Sequence, residues 1–279
     1  MNVSPVNGLR VSDNFLADFS VGGDMNHYLL CLISLLTCSQ TANIEQQASV
    51  FNNSAMILQG RILCHTGYSR IPADSGSFTW YLRHLPLKHS DSLVKYYDGR
   101  SKQKRQVYCA VVKMDIGKKD LQQCADAVMR LRAEFLYHHK RYNEIAFRFN
   151  GDNQLHYYKT YAGNDHSYSK FLKYMEHVFC FANTASLKKQ LKPVPFSQMQ
   201  PGDVLIQSGN PYGHAVIVVD VSKNTKGEKQ YLLAQSYMPA QETQILLNPQ
   251  SGSPWYGRPE RSTITTPEWT FDTTDLRRW

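Results

Sequence analysis

Apolar positions recur every three or four residues through much of the middle of this chain and every second residue toward its C-terminal end. Phe78-Thr-Trp-Tyr-Leu-Arg-His-Leu reads as a short helix stopped by Pro86. Leu121, Ala125, Val128, Leu131 or Arg132, and Phe135 form a helical stripe. They predict a helix from 121 to about 139, with Asp120 as N-cap and Gln123 completing a capping-box variant. Phe171, Met175, Val178, Phe179 and Ala182 mark a second helix over about 168–191, ended by Pro193 and Pro195. Residues 94–97 and 107–112 read as strands, as do 145–149, and Asn150-Gly151 signals a hairpin into 154–161. A meander follows at about 204–207, 214–221, 230–237 and 243–247, with 269–271 as a closing edge strand. Helices followed by an antiparallel sheet predict the α+β class.

The N-terminal region has a different pattern. Tyr28-Leu-Leu-Cys-Leu-Ile-Ser-Leu-Leu-Thr37 is too short to span a membrane but matches the apolar region of a secretory signal. It starts just after Met25, so residues 1–24 are expected to be an upstream extension and 25–39 a signal-like segment. Cleavage would follow the small residues up to Ser39. Alternatively Leu35-Leu-Thr-Cys38 acts as an imperfect lipobox that lipidates Cys38. A buried N-terminal helix is the competing reading. The expected remainder is a polar leader over 40–60 and a single α+β domain over 61–279. That domain divides into an N-terminal part to 118, a core over 119–247 and a tail from 248.

Composition narrows the functional classes. A net charge of +8 is spread along the chain, and its densest group, Lys102, Lys104 and Arg105, reads as a solvated loop. No nucleic-acid partner is expected. Zinc-ligand spacing, a Walker loop and Gly-x-Gly-x-x-Gly are all missing, so no metal or cofactor is expected. Of six cysteines, Cys64, Cys109, Cys124 and Cys180 lie beyond the signal-like region, widely spaced and without a disulfide framework.

The chemistry concentrates at Gln200-Pro-Gly-Asp-Val-Leu-Ile-Gln207 and Pro211-Tyr-Gly-His-Ala-Val-Ile-Val-Val-Asp220. A Pro-Gly-Asp turn feeds one apolar strand, and a Gly-bearing loop delivers His214 as the first residue of the next. A His held there can serve as a general base if a thiol lies nearby and a third polar group fixes its tautomer. Cys124, in the first turns of the capped helix, is the candidate nucleophile, because a helix N-terminus favours thiolate. Gln235 is the candidate orienting group. If the 222–229 connection closes symmetrically, Val221 pairs with Gln230, and His214 falls opposite Tyr237. Val216 then falls opposite Gln235, which shares the His214 face. A one-residue slip would put Ser236 there instead. Each assignment has a plainer counterpart: Cys124 as a small core hydrophobe, Gln235 as a partner for loop carbonyls, and Asp126 paired with Arg130 along the helix.

Trp80-Tyr-Leu-Arg-His-Leu-Pro-Leu-Lys88, Asp120 through Glu134, Gln235-Ser-Tyr-Met-Pro-Ala-Gln241 and Thr266-Pro-Glu-Trp-Thr-Phe271 together resemble an uncharacterised domain family of exported bacterial proteins, many of them lipoproteins. More loosely, Pro201-Gly-Asp, Gly213-His214 and the Cys-before-His order resemble NlpC-type, papain-like cysteine peptidases. That resemblance implies a papain-like core, in which an N-terminal helix packs on an antiparallel sheet, with helical and hairpin insertions. It departs from the pattern at Gln123-Cys124-Ala125, where the family usually has Asp-Cys-Ser or Asp-Cys-Gly, and in the long insertion before His214. The implied protein is exported, periplasmic or outer-membrane-associated, with membrane contact through a lipid anchor. Its implied activity is cysteine amidase or peptidase chemistry on peptidoglycan stem peptides or a similar envelope peptide or glycan. A non-catalytic binding module on the same fold and a structural lipoprotein remain alternatives.

Overall fold

The computed structural model describes residues 50–152, 154–259 and 261–279. The expectations for the extension, the signal-like segment and Cys38 lie outside the described residues. Six α-helices occur among them: α1 (Leu58–Arg61), α2 (Phe78–Arg83), α3 (Cys124–His138), α4 (Tyr158–Ala162), α5 (Tyr168–Phe181) and α6 (Thr184–Gln190). The strands are β1 (Tyr68–Arg70), β2 (Tyr108–Val111), β3 (Ala146–Arg148), β4 (Leu155–Tyr157), β5 (Lys192–Pro193) and β6 (Val204–Gln207). They continue with β7 (His214–Asn224), β8 (Lys229–Gln235), β9 (Gln244–Leu246), β10 (Thr263–Thr265), β11 (Thr270–Asp272) and β12 (Leu276–Arg278).

The main sheet runs β2-β9-β8-β7-β6-β12-β5, every pair antiparallel, with β1 added beside the far end of β7. The fold is therefore mixed α+β. Its two faces are both buried, which is why its strands carry apolar residues at successive positions rather than alternating with polar ones. Ala215, Ile217 and Val219 face the helices, where Ala125, Val128 and Met129 of α3 share their cluster. Val216, Val218 and Leu233 face the second cluster, with Leu205, Phe271 and Leu276.

Several boundaries differ from the sequence expectation, each for a local reason. Helix α3 begins at Cys124, three residues later than its apolar stripe suggests, because Gln123 is the N-cap and the Asp126 carboxylate accepts the Gln123 N–H at 3.1 Å. Asp120 instead pins a loop, accepting from Ala240 N–H at 2.7 Å and from Gln123 Nε2 at 3.0 Å. The long helix expected to 191 is broken at Ala182–Asn183, where Asn183 accepts from Ser186 N–H and restarts the chain as α6. Residues 94–97 contribute only isolated bridges, and β11 pairs with β10 in a separate ribbon rather than closing the main sheet. The strand next to β6 is β12. Residues 50–60 also belong to the fold, since Val50 and Leu58 are fully buried.

The Pro-Gly-Asp turn forms as read, with Gly202 at φ +94. Its carboxylate is structural. Asp203 is buried and takes two hydrogen bonds from Arg278, at 2.6 and 2.8 Å, which tie the C-terminal strand to the start of β6.

Register between β7 and β8 decides what faces His214. Near the turn Ser222 pairs with Gln230, one residue off the symmetric expectation. A bulge between Val218 and Asp220 absorbs the extra residue, and Ile217 pairs with Ala234. At the His214 end the ladder is therefore back in the anticipated register.

Candidate active site

Cys124 is the first residue of α3, so its own N–H and those of the first turn have no acceptor within the helix. Its sulfur lies 3.9 Å from Gly213 O and 3.9 Å from Thr184 Oγ1. Backbone N–H groups of Ala125 and Ala215 also donate toward it. The thiol thus rests beside the backbone on both sides of His214. Burial, and then the charge of Asp126, push its pKa above the ordinary thiol value, against the pull of those N–H groups and the Thr184 hydroxyl.

Gly213 makes this approach possible. A Cβ there would stand 2.3 Å from Gln207 O and 3.0 Å from Thr184 Cγ2, so the loop entering β7 could not pass between β6 and α6.

His214 is fully buried among the rings of Tyr237, Trp269 and Phe271, with centroids 4.9, 5.4 and 5.8 Å away. Its Nε2 lies 2.8 Å from Gln235 Oε1. The orientation of that amide is determined, because Gln235 Nε2 donates to Glu268 Oε2 at 2.7 Å and a carboxylate can only accept. Gln235 therefore offers its oxygen to His214, which must carry its proton on Nε2. Nδ1 is left as a bare lone pair, and it is buried without a partner. Burial lowers the His214 pKa to about 4, and the nearby Lys102 charge adds to this, so the ring is neutral near pH 7. No hydrogen bond joins Cys124 to His214 in this structure.

The relay continues one step further. Glu268 also accepts from Lys102 Nζ at 2.7 Å, and Lys102 donates to Gln241 at 3.0 Å. Lys102 is only 2 % exposed and so departs from the solvated loop expected of its basic group, whereas Lys104 is exposed. The Asp126–Arg130 pairing is likewise replaced: Arg130 binds Glu134 at 2.7 Å, and Asp126 caps α3. Glu268, and the pairing of Lys102 with it, escaped sequence reading because 166 positions separate the two residues. The only available signal was a Glu held between Pro267 and Trp269 in an otherwise β-prone tail.

A cleft of about 330 Å³ opens in front of Cys124, lined by Asp120, Asp126, Thr184, Pro211, Tyr212 and Met238 among others. His214 does not line it. A larger cleft of about 950 Å³, beside the β7–β8 turn, has no Cys or His among its lining residues. No cluster of three or more His, Cys, Asp or Glu suited to a metal ion occurs among the described residues. Cys64, Cys109, Cys124 and Cys180 are all free thiols.

Deleting Glu268 tests the relay by stability as well as by chemistry. Glu268→Leu leaves a buried ammonium without its carboxylate and is expected to cost about 3 kcal/mol. Adding Lys102→Met should restore much of that loss, while the Gln235 amide stays free to turn over. Denaturant unfolding of the two single variants and the double variant measures the difference.

The chain belongs to the family described as Domain of unknown function (4846), which matches residues 58–278. No curated protein and no solved structure is detectably similar to it.

Proposed function

We propose that this protein is a cysteine hydrolase that cleaves an amide through an acyl-thioester, with Cys124 as nucleophile, His214 as general base and Gln235 as the orienting group. The observation that carries the reading is the Glu268–Gln235–His214 chain, which leaves a buried, unprotonated Nδ1 on the residue whose backbone flanks the Cys124 sulfur. In the first half-reaction the thiol proton passes to His214 Nδ1 as sulfur attacks the carbonyl carbon. The carbonyl oxygen takes the negative charge at the positive N-terminal end of α3, beside the Cys124 N–H. The imidazolium then protonates the departing amine, and the C–N bond breaks. In the second half-reaction water adds to the thioester and gives its proton to His214. Collapse releases the acid and restores the thiol.

The free site starts from neutral thiol and neutral imidazole, since burial raises one pKa and lowers the other. Activation accordingly needs proton transfer during attack. The same two shifts, and the lack of a direct Cys124–His214 hydrogen bond, favour the competing reading of a non-catalytic binding module on this fold. In the cellular context we propose export to the periplasm or outer membrane, lipid anchoring at Cys38, and a peptidoglycan stem peptide or similar envelope substrate. Among the described residues no helix is long and apolar enough to cross a membrane.

The two readings separate by mass. On incubation with activated acyl esters, a hydrolase gains one acyl group, located on Cys124 by peptide mapping and lost with time as water deacylates it. A binding module shows no acylation of Cys124.

A further inference from the structure

The cleft in front of Cys124 has an unexpected charge for this chain. Two carboxylates, Asp120 and Asp126, line it, and no Lys or Arg does, although the protein carries a net charge of +8. Asp120 is occupied by Ala240 N–H and Gln123 Nε2 through one oxygen. Asp126 is different. Its residue is 8 % exposed, Oδ2 accepts the Gln123 N–H, and Oδ1 is buried with no partner. A buried carboxylate oxygen left unpaired is costly, and the cost is relieved by any ligand that brings a donor to it.

The chemistry of that donor follows from the surroundings. An anionic ligand group would meet two carboxylates with no cation to offset them. Burial raises the Asp126 pKa to about 8, so the empty side chain is largely protonated near pH 7, and an ammonium group at Oδ1 is the partner that would hold it ionised. Asp126 and Cys124 lie two residues apart in one helical turn, which sets their Cα atoms roughly 5–6 Å apart. Both residues line the same cleft, so a group bound at Oδ1 shares that space with an acyl group attached to the sulfur.

We infer that the Cys124 cleft takes amide substrates whose acyl part carries a primary ammonium group within about one residue of the scissile carbonyl, and that Asp126 binds that ammonium. The inference rests on the hydrolase reading, whose nucleophile it shares. Asp126 is a specificity-determining residue that touches the substrate and takes no part in proton transfer.

Methanethiosulfonate reagents test it without a known substrate. The ethylammonium and ethylsulfonate reagents differ chiefly in the charge at the end of the transferred arm. Each forms a mixed disulfide with the Cys124 sulfur, releases methanesulfinate, and gives up the thiol proton to the base. The full-length protein carrying Cys180→Ser, which removes an exposed thiol, is treated with each reagent, and adducts on Cys124 are timed by peptide mass. Rates are divided by those of free cysteine. At about pH 8.5, above the Asp126 pKa of about 8, the expected ratio of cationic to anionic reagent exceeds about tenfold, and it should shrink below about pH 7 as Asp126 takes up its proton. It should collapse toward one in Asp126→Asn, whose side-chain oxygen still caps Gln123. Asp126→Ser, which also keeps a capping oxygen, is the second variant if the first does not fold.

A ratio near one in the Asp126 protein, or a ratio above ten that survives both substitutions, overturns the inference while leaving Cys124 a reactive nucleophile. A Cys124 that reacts with neither reagent removes the hydrolase reading itself, and the substrate inference falls with it.

Discussion

Cys124→Ser is expected to leave the melting temperature within about 4 °C of wild type and to lower amide hydrolysis by at least about 10³-fold. The stability half follows from position. At the start of α3 a serine hydroxyl meets the N–H groups of Ala125 and Ala215 as donors and Gly213 O as acceptor, so the added polarity is satisfied. The activity half follows from acidity. A hydroxyl is far harder to deprotonate than a thiol, and a base whose pKa sits near 4 gives it little help. A Cys124 that only fills space gives the opposite pattern, with stability lost by about 1–3 kcal/mol and no chemistry to lose.

His214→Ala carries the second large effect. On the proposed hydrolase reading it removes the general base, and hydrolysis should fall by about 10² to 10⁴-fold. It also leaves a cavity among Tyr237, Trp269 and Phe271 and strands the Gln235 oxygen, at a cost of about 2–4 kcal/mol. The pH dependence supplies a sharper signature. The folded His214 pKa is depressed to about 4 from the ordinary 6.5, so between these values the unfolded chain binds the proton and the folded chain does not. The contribution is fully present above pH 6.5 and is lost as pH falls toward 4, up to about 3 kcal/mol. Asp126 acts in the other direction, because burial raises its folded pKa to about 8 and the folded state gains protons as pH falls through that value. The measurable quantity is therefore a difference. Unfolding free energy from pH 7 to pH 4 should drop more steeply in wild type than in His214→Ala.

Much of the sheet could be read directly, because β6 to β9 are apolar runs bounded by turn residues and their order in the chain is also their order of pairing. The His214–Gln235 relation could be read for the same reason, although it depended on a bulge near Val219 that no residue announced. Helix α3 was legible in its body and misread at its start. The apolar stripe extends back to Leu121, but the chain bends at Gln123 to let Asp126 cap it. That shift moves Cys124 from the interior of a helix to its first residue, which changes its chemistry. Glu268 and Lys102 were beyond sequence reading, since a buried ion pair between residues so distant in the chain has no local pattern. Their role depends on which side chains the completed fold brings against Gln235.

One rate tests the catalytic thiol most directly. Alkylation of Cys124 by iodoacetamide at pH 7, located by peptide mapping, should be at least about tenfold faster in the wild-type protein than in His214→Gln, which fills similar space without a base. Equal rates in the two folded proteins, or a Cys124 that stays unmodified until the chain unfolds, would contradict a catalytic thiol and leave a binding module.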